Sequence, residues 1–128
     1  MKVAVTSRTG EMIDQHFGMS DNFFIWEVGP DDSHFLETVK VGKGGEDEED
    51  RIASRVAALS SCAIVYTMQI GGPAAAKVIS HKIHPMKTGS EVSIGEIVAR
   101  LQEVLRGNPP PWLRKAMNME NRGSFLDE

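Results

Sequence analysis

The residue with the most chemistry to offer is His16, in the string Asp14-Gln15-His16-Phe17-Gly18. A loop imidazole can ligate a metal or move a proton. A second segment, Met68-Gln69-Ile70-Gly71-Gly72-Pro73, follows a short apolar run and reads as the start of a helix. The first N–H groups of a helix have no partner within it, so such a start suits an anion. An imidazole beside an anion-binding helix start fits a negatively charged metal cluster better than a bare cation. The candidate binding residues are therefore His16, Phe17 and Gly18 on one loop, and Met68, Gly71 and Gly72 on the other. Each also has a plainer reading. Loop histidines are often only solvent-exposed, an aromatic before glycine often anchors a turn, and glycine with proline commonly begins a helix. Met12, Met19, Met68 and Met86 offer soft thioethers, but methionine more often fills packing gaps.

The remaining inventory is sparse. The chain has one cysteine, Cys62, which excludes an internal disulfide and any all-cysteine zinc or iron–sulfur site within one chain. Cys62 opens an apolar strand, which puts it at the opposite sheet edge from His16, and a buried structural thiol is the favoured reading. His34, His81 and His84 have no partner at metal-ligand spacing. No glycine-rich phosphate loop with lysine and no nucleophile elbow occurs. The helix-linked strands carry no carboxylates to hold two catalytic metals, so a non-enzymatic protein is expected. A net charge of −4, with acids concentrated in Glu46-Asp47-Glu48-Glu49-Asp50, argues against nucleic acid. No secretory leader or apolar run of membrane-spanning length is seen, so a cytoplasmic protein with no membrane contact is expected.

The elements that must position these residues follow from the pattern. The 128 residues suit one core. Lys2–Ser7 reads as a buried first strand, followed by a polar loop over about 8–21. Asn22–Val28 and His34–Val41 form a hairpin about the turn Gly29-Pro30-Asp31-Asp32, and Gly42–Gly45 breaks it. The acidic run opens a helix whose stripe is Ile52, Val56 and Leu59. Cys62–Met68 is a strand buried on both faces. The next helix starts at Gly71-Gly72-Pro73, with Val78 and Ile79 on its buried side. Ile83–Lys87 is a last short strand. Ser93 and Glu96 make a capping box for a helix burying Ile94, Ile97, Val98, Leu101, Val104 and Leu105. This order predicts an α/β fold with a mixed sheet, antiparallel at the hairpin and parallel where helices link the strands. Ligands of such sheets bind beyond the carboxyl ends of parallel strands, where both candidate loops lie.

Residues 108–128 stand apart from the body, 1–107, as a proline-rich extension. Pro109-Pro110-Pro111 precedes Trp112, Leu113, Ala116 and Met117 at helical spacing, with disorder expected beyond about Met119. A helix this short must dock, either on its own chain, which is favoured, or on a partner.

The strand Lys2-Val3-Ala4-Val5-Thr6-Ser7 followed by Asp14-Gln15-His16-Phe17-Gly18 resembles the opening of the dinitrogenase iron–molybdenum cofactor biosynthesis family. That family includes NifX-type carriers, the NafY core domain and the carboxyl-terminal domain of NifB. The resemblance runs from Lys2 to about Met117, and Asn108-Pro109-Pro110-Pro111-Trp112-Leu113-Arg114-Lys115-Ala116 is similar to the tail of the NifX branch. It implies a ribonuclease H-like, mixed five-stranded sheet with flanking helices and no nuclease activity. It also implies a carrier in nitrogen fixation that transiently binds the iron–molybdenum cofactor or its iron–sulfur precursor, with His16 as the metal ligand. Its partners would be nitrogenase cofactor assembly proteins or apo-dinitrogenase. Some relatives carry extra cysteines where this chain has Thr67-Met68-Gln69-Ile70, so ligation here must be weak or helped by a partner. The alternative is a cluster-free interaction or regulatory module that binds assembly proteins through the Trp112 segment.

Overall fold

The computed structural model describes residues 1–41 and 47–117. The expected break at Gly42–Gly45, the Glu46 end of the acidic run and the polar end beyond Met119 lie outside them. In chain order the elements are β1 (Lys2–Thr6), β2 (Met12–Ile13), β3 (Asn22–Val28), β4 (Ser33–Lys40), α1 (Glu48–Ala58), β5 (Ile64–Thr67), α2 (Gly72–Ser80), β6 (His84–Lys87), β7 (Val92–Ser93) and α3 (Ile94–Arg106). A 3-10 turn spans Phe17–Met19, and residues 111–117 are helical.

The main sheet has five strands in the order β4-β3-β1-β5-β6. β3 runs antiparallel to both neighbours, whereas β1, β5 and β6 are mutually parallel. This is the mixed sheet expected from the pattern, with the five strands that the family resemblance implies.

Alternation along each strand divides the core. Val3, Val5, Ile64 and Tyr66 face α3, packing on Ile94, Val98 and Leu101. Ala4, Phe23, Ile25 and Val65 face α1 and α2, packing on Val56, Leu59 and Val78. Because both faces are covered, β1 and β5 read as continuous apolar runs rather than alternating ones. Each fully buried aliphatic side chain contributes about 1.5–3 kcal/mol.

Helix starts form as their chemistry requires. The Asp47 carboxylate accepts the Asp50 N–H at 2.8 Å, and the Ser93 hydroxyl accepts the Glu96 N–H at 3.3 Å.

Two expected core residues are not in the core. Ile79 is 58% exposed and Val104 41%. Ala74 and Val78, four apart, hold α2 against the sheet, and Ile79 lies a further 100° or so round the helix, toward solvent. On α3 the stripe through Ile94, Ile97, Val98, Leu101 and Leu105 is already complete, leaving Val104 at its border. The segment expected as a loop over 8–21 also contains β2, which pairs with β7 through Met12↔Ser93 and Ile13↔Val92. A two-residue strand has no periodicity to read. It nevertheless buries Ile13 completely and ties the His16 loop to the start of α3, where the Ile94 N–H donates to the Glu11 carbonyl at 2.9 Å.

Candidate functional site

Every residue of Asp14-Gln15-His16-Phe17-Gly18 has a distinct placement. Asp14 ends the preceding turn, accepting the Arg8 N–H at 3.0 Å. The Gln15 carbonyl accepts the Met68 N–H at 3.1 Å and the Thr6 hydroxyl at 2.9 Å. The Thr67 hydroxyl lies 3.0 Å from that carbonyl and 3.2 Å from the Gln69 carbonyl, and donates to one at a time. The Phe17 N–H donates to the Gln69 carbonyl at 2.9 Å. Phe17 itself has no exposed surface and packs on Phe23 with ring centroids 5.7 Å apart. Ser20 closes the turn, its hydroxyl donating to the Phe17 carbonyl at 2.7 Å.

His16 is therefore exposed between two residues that are both bonded to the segment after β5. The ring is free to meet a ligand while the backbones of its neighbours Gln15 and Phe17 are stitched to Met68 and Gln69. The side chain of Phe17 anchors the turn in the core rather than facing a ligand. Gly18, Gly71 and Gly72 are exposed, and Met68 is half-buried.

The structure thus brings His16, Gly18, Met68, Gly71 and Gly72 to one edge, the carboxyl ends of β1 and β5. Cys62 lies at the other end of β5, where the Ala63 N–H donates to the Lys2 carbonyl. An extended segment from Cys62 to Met68 spans roughly 20 Å. Among the described residues, no group of three His, Cys, Asp or Glu side chains could hold a metal ion. A metal-containing ligand held at this edge would have to arrive with most of its coordination satisfied.

Burial pushes the Cys62 thiol up to about 11; Lys2 and a hydrogen bond to Ser61 oppose this and Glu37 adds to it. The fold therefore favours the neutral thiol, whereas the unfolded chain ionises it from about pH 8.5. Stability from this group is complete below that pH and is lost as pH rises toward 11. Denaturant midpoints should accordingly fall between about pH 9 and 11, and Cys62→Ala should flatten that part of the profile. The native thiol should also resist alkylation at pH 8 and react once unfolded.

Two residues outside the expected set border this edge. Gly18, Gly71 and Ala74 share a cavity of about 140 Å³ with Arg51 and Arg55 of α1. Arg55 is only 8% exposed, and one of its Nη2 protons goes to the Ser20 carbonyl at 3.0 Å, bracing the His16 turn from behind. Spacing from the acidic run could have shown that Arg51 and Arg55 share a helix face, four residues apart, but not which loop they meet. A cavity of about 660 Å³ lies instead on the α3 face, lined by Tyr66, Met86, Leu101 and Trp112.

An exposed imidazole on a turn bonded to the segment before a helix start, on a sheet of this order, defines a small α/β domain with a candidate binding edge. Residues 1–104 match the family described as dinitrogenase iron–molybdenum cofactor, and the chain belongs to that family. It is 41% identical over 119 residues to the protein NifX of Herbaspirillum seropedicae, spanning 91% of this chain and 82% of that one. It is also 41% identical over 120 residues to the protein NifY of Azotobacter vinelandii, spanning 94% of this chain but 49% of the longer relative. Among solved structures, PH0822 has the same fold, with a TM-score of 0.65 and 23% identity, covering 80% of this chain and 89% of that one.

Proposed function

We propose that this chain binds the iron–molybdenum cofactor, or its iron–sulfur precursor, and carries it between proteins of nitrogenase cofactor assembly. Membership of the family and the likeness to NifX and NifY support a role in iron–molybdenum cofactor biosynthesis and nitrogen fixation. The single observation behind the carrier reading is the placement of His16. Its ring is exposed, while the backbone bonds of Gln15 and Phe17 fix it against the loop that opens α2.

In this reading His16 supplies one nitrogen ligand, and the first N–H groups of α2 face the negative charge of the cluster. One protein ligand gives an attachment that a recipient can displace, which is what transfer requires. Residues 1–107 form the binding body and 108–128 an extension. The protein acts as a carrier rather than a catalyst, in the cytoplasm, with assembly proteins or apo-dinitrogenase as donor and acceptor. No helix among the described residues is long and apolar enough to cross a membrane.

Anaerobic mixing with isolated cofactor or precursor, followed by gel filtration, tests this. Iron and visible absorbance should elute with the protein in near-stoichiometric amount and pass to apo-dinitrogenase on addition. If the protein elutes without iron yet still associates with assembly proteins, the cluster-free interaction module is the correct reading.

A further inference from the structure

Three glycines at the His16 edge leave open space around them. A Cβ added at Gly18, Gly71 or Gly72 would meet nothing within 4 Å, and none of the three has a positive φ. Gly10 is different: its φ is +85° and a Cβ there would come within 3.0 Å of the Phe24 ring. Gly71 and Gly72 also suit the helix start, because glycine outranks alanine as an N-cap and a Cβ on the residue before Pro73 would crowd the proline ring, whereas Gly18 has no such local role. What glycine preserves at these positions is open space and access to backbone N–H groups.

That space adjoins the α1–α2 cavity, which Gly18 and Gly71 line together with Arg51, Arg55, Ala74 and Glu48. Gly71 is the N-cap of α2 and has no side chain to accept the first N–H groups, those of Gly72 and Ala74. Pro73 contributes none. Arg55 supplies an independent sign of a missing acceptor. Two of its N–H groups are used, by the Arg51 carbonyl at 3.1 Å and the Ser20 carbonyl at 3.0 Å. Its Nε–H is buried without a partner among the described residues. The nearby carboxylate of Asp21 only partly offsets the burial of this guanidinium, and Arg51 adds a second positive charge. Glu48 is the one acid in the lining, set against two arginines and the positive end of a helix.

We propose that the cavity between α1 and the start of α2 is an oxyanion subsite continuous with His16. Arg51 and Arg55 supply its charge, the amides of Gly72 and Ala74 its directed donors, and Gly18 and Gly71 its room. It rests on the carrier reading only for its occupant, which is an oxyanion group of the cargo. Its chemistry, guanidinium and amide N–H against carboxylate or tetrahedral oxyanion, is independent of that. The two points of attachment differ in kind. His16 takes the metal part of the cargo, and the cavity takes an anionic oxygen group.

Titration of the cargo-free protein with inorganic phosphate and with citrate, followed by amide NMR, tests the subsite. Saturable shifts are expected at Gly18, Gly71, Gly72 and Ala74. Arg51, exposed on α1, is the discriminating position, because Arg55 also holds the Ser20 carbonyl. Arg51→Gln should weaken anion binding about tenfold or more, and Glu48→Gln should tighten it. Gly18→Leu should block it without loss of melting temperature, because Gly18 lines the cavity, is exposed and caps no helix. The absence of saturable shifts with both anions would overturn the proposal, as would equal affinity in Arg51→Gln. Competition then identifies the occupant. If phosphate displaces bound cluster, the cavity serves the cargo; if phosphate and cluster bind together without effect, the cargo assignment is wrong. Anion binding by a protein that never binds cluster would refute the carrier reading and leave the oxyanion chemistry intact.

Discussion

His16→Ala is expected to lower affinity for an iron–sulfur-type cluster by at least about tenfold, or roughly 1.4 kcal/mol, with almost no change in melting temperature. The two halves of this expectation have separate causes. The imidazole is exposed, and the turn that carries it is held by other groups: the Gln15 carbonyl, the Phe17 N–H and the buried Phe17 ring. Removing an exposed side chain that holds nothing in place shifts stability by only about 0.5 kcal/mol. Affinity depends on the ring itself, because no cluster of three metal-ligating side chains exists among the described residues to take its place. Anaerobic titration and thermal melting of the same preparation give both readings. Unchanged affinity would move the ligand elsewhere. A fall of several degrees would make His16 structural.

Phe17→Ala should behave in the opposite sense, unfolding the turn and the core together. Its ring is fully buried against Phe23, and deleting such a side chain costs about 3–5 kcal/mol.

Leu113→Ala is expected to cost about 2–5 kcal/mol, a loss on the order of 10 °C in melting temperature. Leu113 is 1% exposed and packs into the α3-side core, where Trp112 and Met117 also lie against it. The Trp112 ring stacks on His84, with centroids 3.7 Å apart and planes within 10°. The segment 111–117 therefore docks on its own chain, the favoured alternative of the sequence reading. Removing everything after Gly107 should destabilise the protein at least as much as the single substitution.

The docking should also respond to acid. Burial holds His84 below its ordinary value, so the fold prefers the neutral ring. Stability from this group is present above the unfolded value of about 6.5 and is lost as pH falls below it. Melting curves of wild type and Leu113→Ala between about pH 7.5 and 5 would follow this. If the variant melts like wild type but no longer binds assembly proteins, the segment serves a partner instead.

Much of this protein was legible in its residues because local chemistry decided it. The hairpin strand Asn22–Val28, the Ser93 cap and the helix start after Gly71 lie where turn chemistry, periodicity and capping put them, although the Glu96 carboxylate pairs with Arg100 rather than completing a capping box. The Asp-Gln-His-Phe-Gly string gave both His16 and its position beyond β1. That its loop and the start of α2 share an edge followed from the rule for parallel strands.

What the residues could not reveal depended on contacts between distant parts of the chain. The β2–β7 pair joins Met12 to Ser93 with too few residues for any period to register. Ile79 and Val104 are as apolar as their buried neighbours, and only the direction in which α2 and α3 face the sheet leaves them in solvent. The division of labour within the string was equally hidden, since packing alone turns Phe17 into the core and leaves His16 outside. Arg51 and Arg55 read as charges on a solvated helix until α1 settles across the sheet and brings them to Gly18 and Gly71. A side chain's type and spacing set what it can do, whereas its burial and its neighbours, fixed only when the layers pack, decide what it does.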